Sequence, residues 1–176
     1  PLSPQEIRNT VYRGAIIDAL HEANDDRDWR LIFGREDPDR RERDVEIVLR
    51  LLGLFLVGIK YERPMKRFLN STMHDNRNLK RKDVREFFEK WPQVTEFVIK
   101  ELGEKPFHAR GPLNVAVLDA IMTALTQSWP KKPKNLVQSV KDLLADTDFM
   151  ILCSARTGDT DVVRDRLAEA KKVIYG

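Results

Sequence analysis

The sequence has few of the residues on which disulfides, metal sites and phosphate loops depend. It contains one cysteine, Cys153, so an internal disulfide is excluded, and the apolar neighbours of this residue predict a buried side chain. The three histidines, His21, His74 and His108, have no second His or Cys at a ligand spacing. None of the eight glycines is arranged as a phosphate-binding loop. The residues therefore predict no metal site and no nucleotide cofactor.

Membrane spans, secretion signals and strand patterns are also missing from the sequence. The most apolar run, residues 45–59, is shorter than the roughly 20 residues that a membrane span needs, and it contains Arg50. No secretory apolar segment opens the chain, and no alternation of apolar and polar residues indicates a strand. A helix start follows Pro1 almost immediately, which has two interpretations, removal of an initiator Met or excision from a longer protein, and we favour excision. We expect a cytoplasmic protein in a reducing compartment, with no membrane contact.

The chain has enough apolar residues for one folded core. Of its 176 residues, 41% are hydrophobic and 34% charged, with a formal net charge of +3, which is typical of a globular domain. Residues 45–59 and 113–125 are apolar almost all the way round, as expected of helices at the centre of a bundle. The sequence predicts one all-α domain over residues 1–176, an orthogonal or irregular bundle of about six to eight helices around these two.

Amphipathic patterns predict the helices that surround these two. Ser3 and Glu6 match a capping box, and Ile7, Val11 and Ile16 share the apolar face of the first helix. Further helices are predicted over residues 64–76, 83–91, 94–102, 136–145 and 160–174. Pro92 predicts a break or a kink between two of them. Residues 24–44 read as a long tethered loop, with or without one short helix.

Arg50 and Asp119 are the candidates for a buried charge pair. Each lies inside one of the two apolar helices, and mutual pairing would reduce the cost of removing both charges from water. A buried carboxylate with a shifted pKa is also a candidate catalytic group, and exposure at a helix edge is a further alternative. We interpret the two residues as a structural ion pair, and we predict no catalytic residue in the chain.

Two stretches concentrate basic residues that could neutralise phosphates of a nucleic acid. The first basic cluster is Lys80, Arg81, Lys82 and Arg85, and the second basic cluster is Lys131, Lys132 and Lys134. The alternative is a solvated surface, since acidic residues between positions 75 and 89 dilute the first cluster and no aromatic residues interleave with it. Both clusters are candidates for contact with nucleic acid.

Several segments in order resemble one family of bacterial proteins. They are residues 2–9 with 12–14, residues 46–50 with 54–55, residues 64–70, Phe107, residues 113–120, and residues 156–157 continuing to 166–171. Together they resemble the C-terminal helical region of GmrSD-like restriction and phage-defence proteins. One departure is Ala15, where the family pattern has Pro after an Arg-Gly pair. This departure favours a first helix that runs unbroken through Gly14.

The resemblance implies a module without catalytic residues of its own. Family members carry an N-terminal ParB/sulfiredoxin-like domain with an Asp-Gly-Gln-Gln-Arg motif, and some add a C-terminal HNH-type nuclease; neither motif occurs in this chain. The implied function is support of the nucleotide-hydrolysing or nuclease domain, with the N-terminal domain as partner and DNA as a further candidate partner. The alternatives are a stand-alone helical protein that binds nucleic acid or protein, and an enzyme that uses Asp119, His74 and Arg50.

Overall fold

A computed structural model describes residues 1–108 and 111–176 of the chain. Over these residues it contains ten α-helices, a 3-10 turn at Gly58–Lys60 and no strand. The α-helices are α1 (Pro4–Val11), α2 (Ala15–Asn24), α3 (Arg27–Phe33), α4 (Arg43–Val57), α5 (Met65–Asn76), α6 (Lys82–Leu102), α7 (Val115–Ser128), α8 (Leu136–Ala145), α9 (Thr147–Leu152) and α10 (Thr160–Tyr175). The predicted all-α class is confirmed, with more helices than expected because α3 and α9 are short and the first predicted helix is divided.

Helices α4 and α7 form the centre of the fold. Every residue of α7 from 116 to 126 is buried, and α4 buries Val48, Leu49, Leu52 and Leu54 completely. Burial of each such aliphatic side chain contributes about 1.5–3 kcal/mol. The two helices pack on each other, while α1, α2, α5 and α6 pack on α4, and α6 and α10 pack on α7. Across the described residues, no helix combines the length and the apolar character of a membrane span.

The expectation of an unbroken first helix is wrong, because the chain makes a close contact at Gly14. Helix α1 ends at Val11, and α2 begins at Ala15. The Ile16 amide donates to the carbonyl oxygen of Arg77 at 3.0 Å. A Cβ atom on Gly14 would lie 2.3 Å from that same oxygen, inside any allowed contact distance. The absence of a side chain at position 14 therefore permits α2 to begin against the end of α5.

Of the break or kink predicted at Pro92, the break does not occur, since the 21-residue helix α6 continues through the proline. Proline inside a helix removes one backbone hydrogen bond and costs about 3 kcal/mol. The helix buries Phe87, Trp91 and Val94 on one face on both sides of the proline. Trp91 also packs against Trp29 with ring centroids 5.1 Å apart, and its indole nitrogen donates to a buried carbonyl at 2.9 Å. Packing across the proline offsets the lost hydrogen bond.

Candidate functional site

Arg50 and Asp119 lie between the two central helices. Arg50 extends from α4, and Asp119 extends from α7, where it is completely buried. The Nε and Nη2 atoms of Arg50 lie 2.7 and 2.6 Å from Oδ2 of Asp119. The two charged residues inside the apolar helices are thus in direct contact, and the contact reduces the cost of burying both charges.

Arg166 of α10 completes this ion cluster, although the sequence analysis did not identify it. Its Nη2 atom lies 3.1 Å from Oδ2 of Asp119, and its Nη1 atom donates to the Thr157 carbonyl at 2.7 Å. The side chain is fully buried. The spacing of the residues in α10 could have indicated that Arg166 is buried. Val163 and Ala170 mark the buried face of this helix, and Arg166 lies on the same face between them.

The ion cluster, defined as Arg50, Asp119 and Arg166, has an excess of positive charge. Two guanidinium groups face one carboxylate. Burial lowers the pKa of Arg166, while the charge of Asp119 opposes that change, and arginine stays protonated in proteins. Asp119 Oδ1 and Arg166 Nε are buried and make no hydrogen bond to the described part of the chain. One acceptor and one donor of the ion cluster therefore remain without a partner among the described residues.

Cys153 lies near the ion cluster but is not poised as a nucleophile. It is buried, and this burial raises the pKa of its thiol to about 12 against the opposing effect of Arg166. Only the thiolate is a strong nucleophile, and a thiol with this pKa is neutral at physiological pH. Cys153 therefore adds neither a reactive sulfur nor a negative charge to its surroundings.

His74 lies apart from the ion cluster. It is exposed on α5, where Nδ1 lies 2.8 Å from Oδ1 of Asp75 and the ring packs edge-on against Tyr12 at 5.8 Å. The three residues of the enzyme hypothesis, His74, Asp119 and Arg50, do not form one hydrogen-bonded site. In the ranges 1–108 and 111–176, no group of three or more His, Cys, Asp or Glu side chains is placed to hold a metal ion.

The first basic cluster lies where α6 begins, and half of it is engaged locally. Arg81 contacts Asp83 with both arms of its guanidinium, at 3.0 and 2.5 Å. Arg85 donates from Nη1 to the carbonyls of Leu79 and Lys80 at 2.8 and 2.6 Å. The two lysines of the cluster are exposed. These two lysines make no salt bridge to the described residues, Arg81 is paired with a carboxylate, and Arg85 keeps its charge while its guanidinium is held by two carbonyls.

The second basic cluster lies at the other end of α6. The Lys132 ammonium is 5.4 Å from the ring centroid of Phe97, and Lys131 is 5.5 Å from that of Tyr175, while Lys134 is exposed. Phe97 lies fifteen residues after the start of α6, a distance of about 22 Å along the helix. The fold therefore does not combine the two basic clusters into one compact patch.

A second buried ion pair organises residues 24–44, which the sequence predicted as a tethered loop. Asp44 Oδ2 accepts hydrogen bonds from Arg30 Nη1 at 2.7 Å, from Asn24 Nδ2 at 3.1 Å and from the Asp39 amide at 2.9 Å. Burial alone would raise the pKa of Asp44, but these donors and the Val45 amide outweigh it and lower that pKa. Residues 24–44 are therefore held in place by polar contacts, and α3 is the one short helix within them.

Helix α1 turns its apolar side outward, contrary to the predicted packing of Ile7 and Val11. These side chains are 49% and 63% exposed, whereas Arg8 on the adjacent side of the helix is buried. Arg8 Nη1 lies 2.6 Å from Glu46 Oε2, and Arg8 Nε donates to Asn70 Oδ1 at 2.9 Å. The polar side packs inward because its guanidinium finds acceptors on both α4 and α5.

Comparison with known proteins found no relative of this chain. No protein-family model, no curated protein and no solved structure matches the chain. The resemblance to GmrSD-like proteins therefore stays a hypothesis that depends on the order of the sequence segments described above.

Proposed function

We propose that the chain is a non-catalytic α-helical module of a GmrSD-like restriction and anti-phage defence protein. In this proposal the module supports the nucleotide-hydrolysing or nuclease domain of a larger cytoplasmic protein, whose active groups lie outside residues 1–176. The order of the resembling segments supports the family. The outward apolar side of α1 carries the proposal, because it offers a surface on which another domain could pack.

This surface, the α1 face, consists of Leu2, Ile7 and Val11. Leu2 is 62% exposed, and the three side chains line one groove of about 170 Å³, which Lys66 also lines. Adjacent exposed apolar side chains bordered by polar residues are typical of protein–protein contact surfaces. We infer that the N-terminal ParB/sulfiredoxin-like domain of the parent protein packs on the α1 face and inserts a side chain into this groove.

Rotation of α1 cannot hide the α1 face. The buried guanidinium of Arg8 contacts Glu46 and Asn70, and turning the helix would remove this cation from both partners. The helix would then lose one ion pair and one hydrogen bond, and Glu46 and Asn70 would be left without the donor that they share. The exposed apolar surface is therefore a fixed property of the folded module.

The gene that encodes the chain provides the first test of the family. We expect its reading frame to encode a domain with the Asp-Gly-Gln-Gln-Arg motif before Pro1. A frame without such a domain contradicts the GmrSD-like proposal and favours the alternative, a stand-alone helical protein that binds nucleic acid or protein.

The double substitution Ile7→Asp and Val11→Asp tests the α1 face directly. Because both side chains are exposed, we expect the free energy of unfolding of the isolated chain to change by no more than about 0.5 kcal/mol. Binding to the parent N-terminal domain should weaken about 100-fold or more, since charges replace apolar contacts at the interface. Isothermal titration calorimetry measures the affinity.

Ile151→Asp is the matched control for this experiment. Ile151 is 56% exposed on α9, and thus has an exposure similar to that of Ile7 and Val11. We expect this variant to bind the N-terminal domain as the wild type does. Equal affinities of the double variant and the control variant would show that the α1 face is not the contact surface.

DNA contact through the first basic cluster is a further part of the proposal. Lys80 and Lys82 are exposed and make no salt bridge to the described residues. If both contact phosphates, Lys80→Ala with Lys82→Ala should reduce the slope of log affinity against log salt by about two. Fluorescence anisotropy with duplex DNA measures the slope, and Lys100→Ala with Lys171→Ala is the control. A wild-type affinity that does not change with salt removes DNA from the proposal.

A further inference from the structure

A cleft of about 790 Å³ opens beside the N-terminus of α7. Its apolar wall includes Leu113, Leu144 and Met150, and Arg50 of the ion cluster and Lys141 of α8 also line it. The volume lies within the roughly 300–1,000 Å³ that sites for small molecules occupy. An apolar wall with a few converging polar groups is the usual composition of such sites.

The charge of this cleft is positive. Among the described residues that line it, Arg50 and Lys141 are cations, and no aspartate or glutamate is present. Cys153 also lines the cleft, and burial keeps its thiol protonated. Directly behind Arg50, the single carboxylate of Asp119 is shared with Arg166. One positive charge of the ion cluster is therefore not neutralised by the carboxylate.

Arg50 has a geometry suited to contacting both the ion cluster and a ligand. Its Nε and Nη2 atoms are held by Asp119, and its Nη1 atom makes no hydrogen bond to the described part of the chain. The side chain is 17% exposed, and it lines the cleft. A guanidinium held by a buried carboxylate loses little side-chain freedom when it binds an anion.

The start of α7 adds to the positive potential. Residues 114–117, which are the N-cap and the first three residues of this 14-residue helix, lie in the cleft wall. The Asn114 side chain accepts from the amides of Ala116 and Val117 at 3.0 and 3.1 Å, so the cap itself is satisfied. The helix dipole still places partial positive charge at this end.

We propose that this cleft binds a small molecule with an oxyanion head, a phosphate or a carboxylate, on an apolar body. The head contacts Arg50 and Lys141, and the body packs against Leu113, Leu144 and Met150. This inference does not depend on the function proposed above.

Binding of naphthalene compounds to the full chain tests this inference. The probes are 1-naphthyl phosphate and 1-naphthoate, which share an apolar body, and the neutral compound is 1-naphthol. In isothermal titration calorimetry, we expect at least one of the two anions to bind at least about tenfold more tightly than 1-naphthol, because charge-assisted hydrogen bonds hold the head. The stronger anion identifies the head group. Equal affinity for 1-naphthol, or no binding of either anion at millimolar concentration, overturns the proposal.

Lys141→Glu locates the binding in this cleft. Lys141 is exposed, so the variant should fold, and reversal of its charge should weaken binding of the anion about tenfold. Lys100→Glu makes the same charge change at an exposed position of α6 and should bind as the wild type does. Circular dichroism first establishes that the Arg50→Gln variant is folded. This variant should then bind the anion more weakly than Lys141→Glu does. An affinity of Lys141→Glu within about twofold of the Lys100→Glu control contradicts the proposal.

Discussion

Replacement of Asp119 by Asn should lower the free energy of unfolding by about 3–5 kcal/mol, because the buried guanidinium of Arg166 and the partly buried one of Arg50 would lose their counter-charge. Asn has nearly the same shape, so the change removes the charge without opening a cavity. Arg50 and Arg166 both contact the same oxygen of Asp119, and neither can be deprotonated to relieve the loss. Urea unfolding followed by circular dichroism at neutral pH measures the effect.

Asp83→Asn is the matched control for this substitution. Asp83 also pairs with an arginine, Arg81, but this pair is exposed at the start of α6. Surface ion pairs contribute about 0–1 kcal/mol, because water and salt screen them. A loss for Asp119→Asn as small as that for Asp83→Asn would contradict a structural role for the buried carboxylate.

A double-mutant cycle with Arg166→Met separates the charge balance from other effects. In the Arg166→Met background, only Arg50 faces the carboxylate, so Asp119→Asn should cost less than in the wild type. A coupling free energy of about 1–3 kcal/mol is expected for residues in direct contact. Additive effects would mean that Asp119 does not stabilise Arg166.

The central helices could be predicted because a helix that is apolar on all sides is stable only where other helices surround it. Residues 45–59 and 113–125 are apolar on all sides, and the corresponding helices, α4 and α7, lie at the centre of the bundle. The same reasoning identified Arg50 and Asp119, since a charge inside such a helix needs a partner. Where the pattern leaves one solution, the sequence is sufficient.

Helix α1 could not be predicted in this way, because its pattern allows two orientations. Ile7 and Val11 have the spacing of a core face, yet Arg8 is the buried side chain. The choice depends on Glu46 and Asn70, which lie far away in the sequence and supply the acceptors for Arg8. Contacts between distant segments decided the orientation, and periodicity within one helix contains no information on them.

The polar core was missed for a related reason. Arg30, Asp44 and Arg166 occur in stretches that are rich in charge, which are typical of exposed surfaces. Each is buried because the fold supplies a specific partner: Asp44 for Arg30, and Asp119 for Arg166. Composition indicates how many charges a segment has, but not which of them the fold will remove from water.

Replacement of Asp44 by Asn is expected to destabilise the chain by about 3 kcal/mol at neutral pH. The carboxylate accepts from Arg30, Asn24 and the amide of Asp39, and these contacts join the end of α2 to the start of α4. An amide in its place loses the charge that strengthens these hydrogen bonds and turns a donor toward other donors. Urea unfolding over a range of pH measures both the size of this effect and its pH dependence.

The pH dependence follows from the lowered pKa of Asp44. In the folded chain, the hydrogen bonds outweigh burial and hold this pKa below the ordinary value of 3.8. The charged carboxylate therefore contributes stability that is fully present above the unfolded-state pKa of about 4 and is lost as the pH falls through the lower, folded-state pKa. The stability difference between the wild type and Asp44→Asn should be constant at neutral pH and should shrink below about pH 4.

Asp165→Asn shows whether this loss belongs to Asp44 or to carboxylates in general. Asp165 is exposed on α10 and makes no salt bridge to the described residues. Its replacement should change the free energy of unfolding by no more than about 0.5 kcal/mol, because the side chain is exposed. Acid sensitivity retained in full by Asp44→Asn would mean that other carboxylates govern acid unfolding, and that the Arg30–Asp44 pair is not the contact through which protonation loosens residues 24–44.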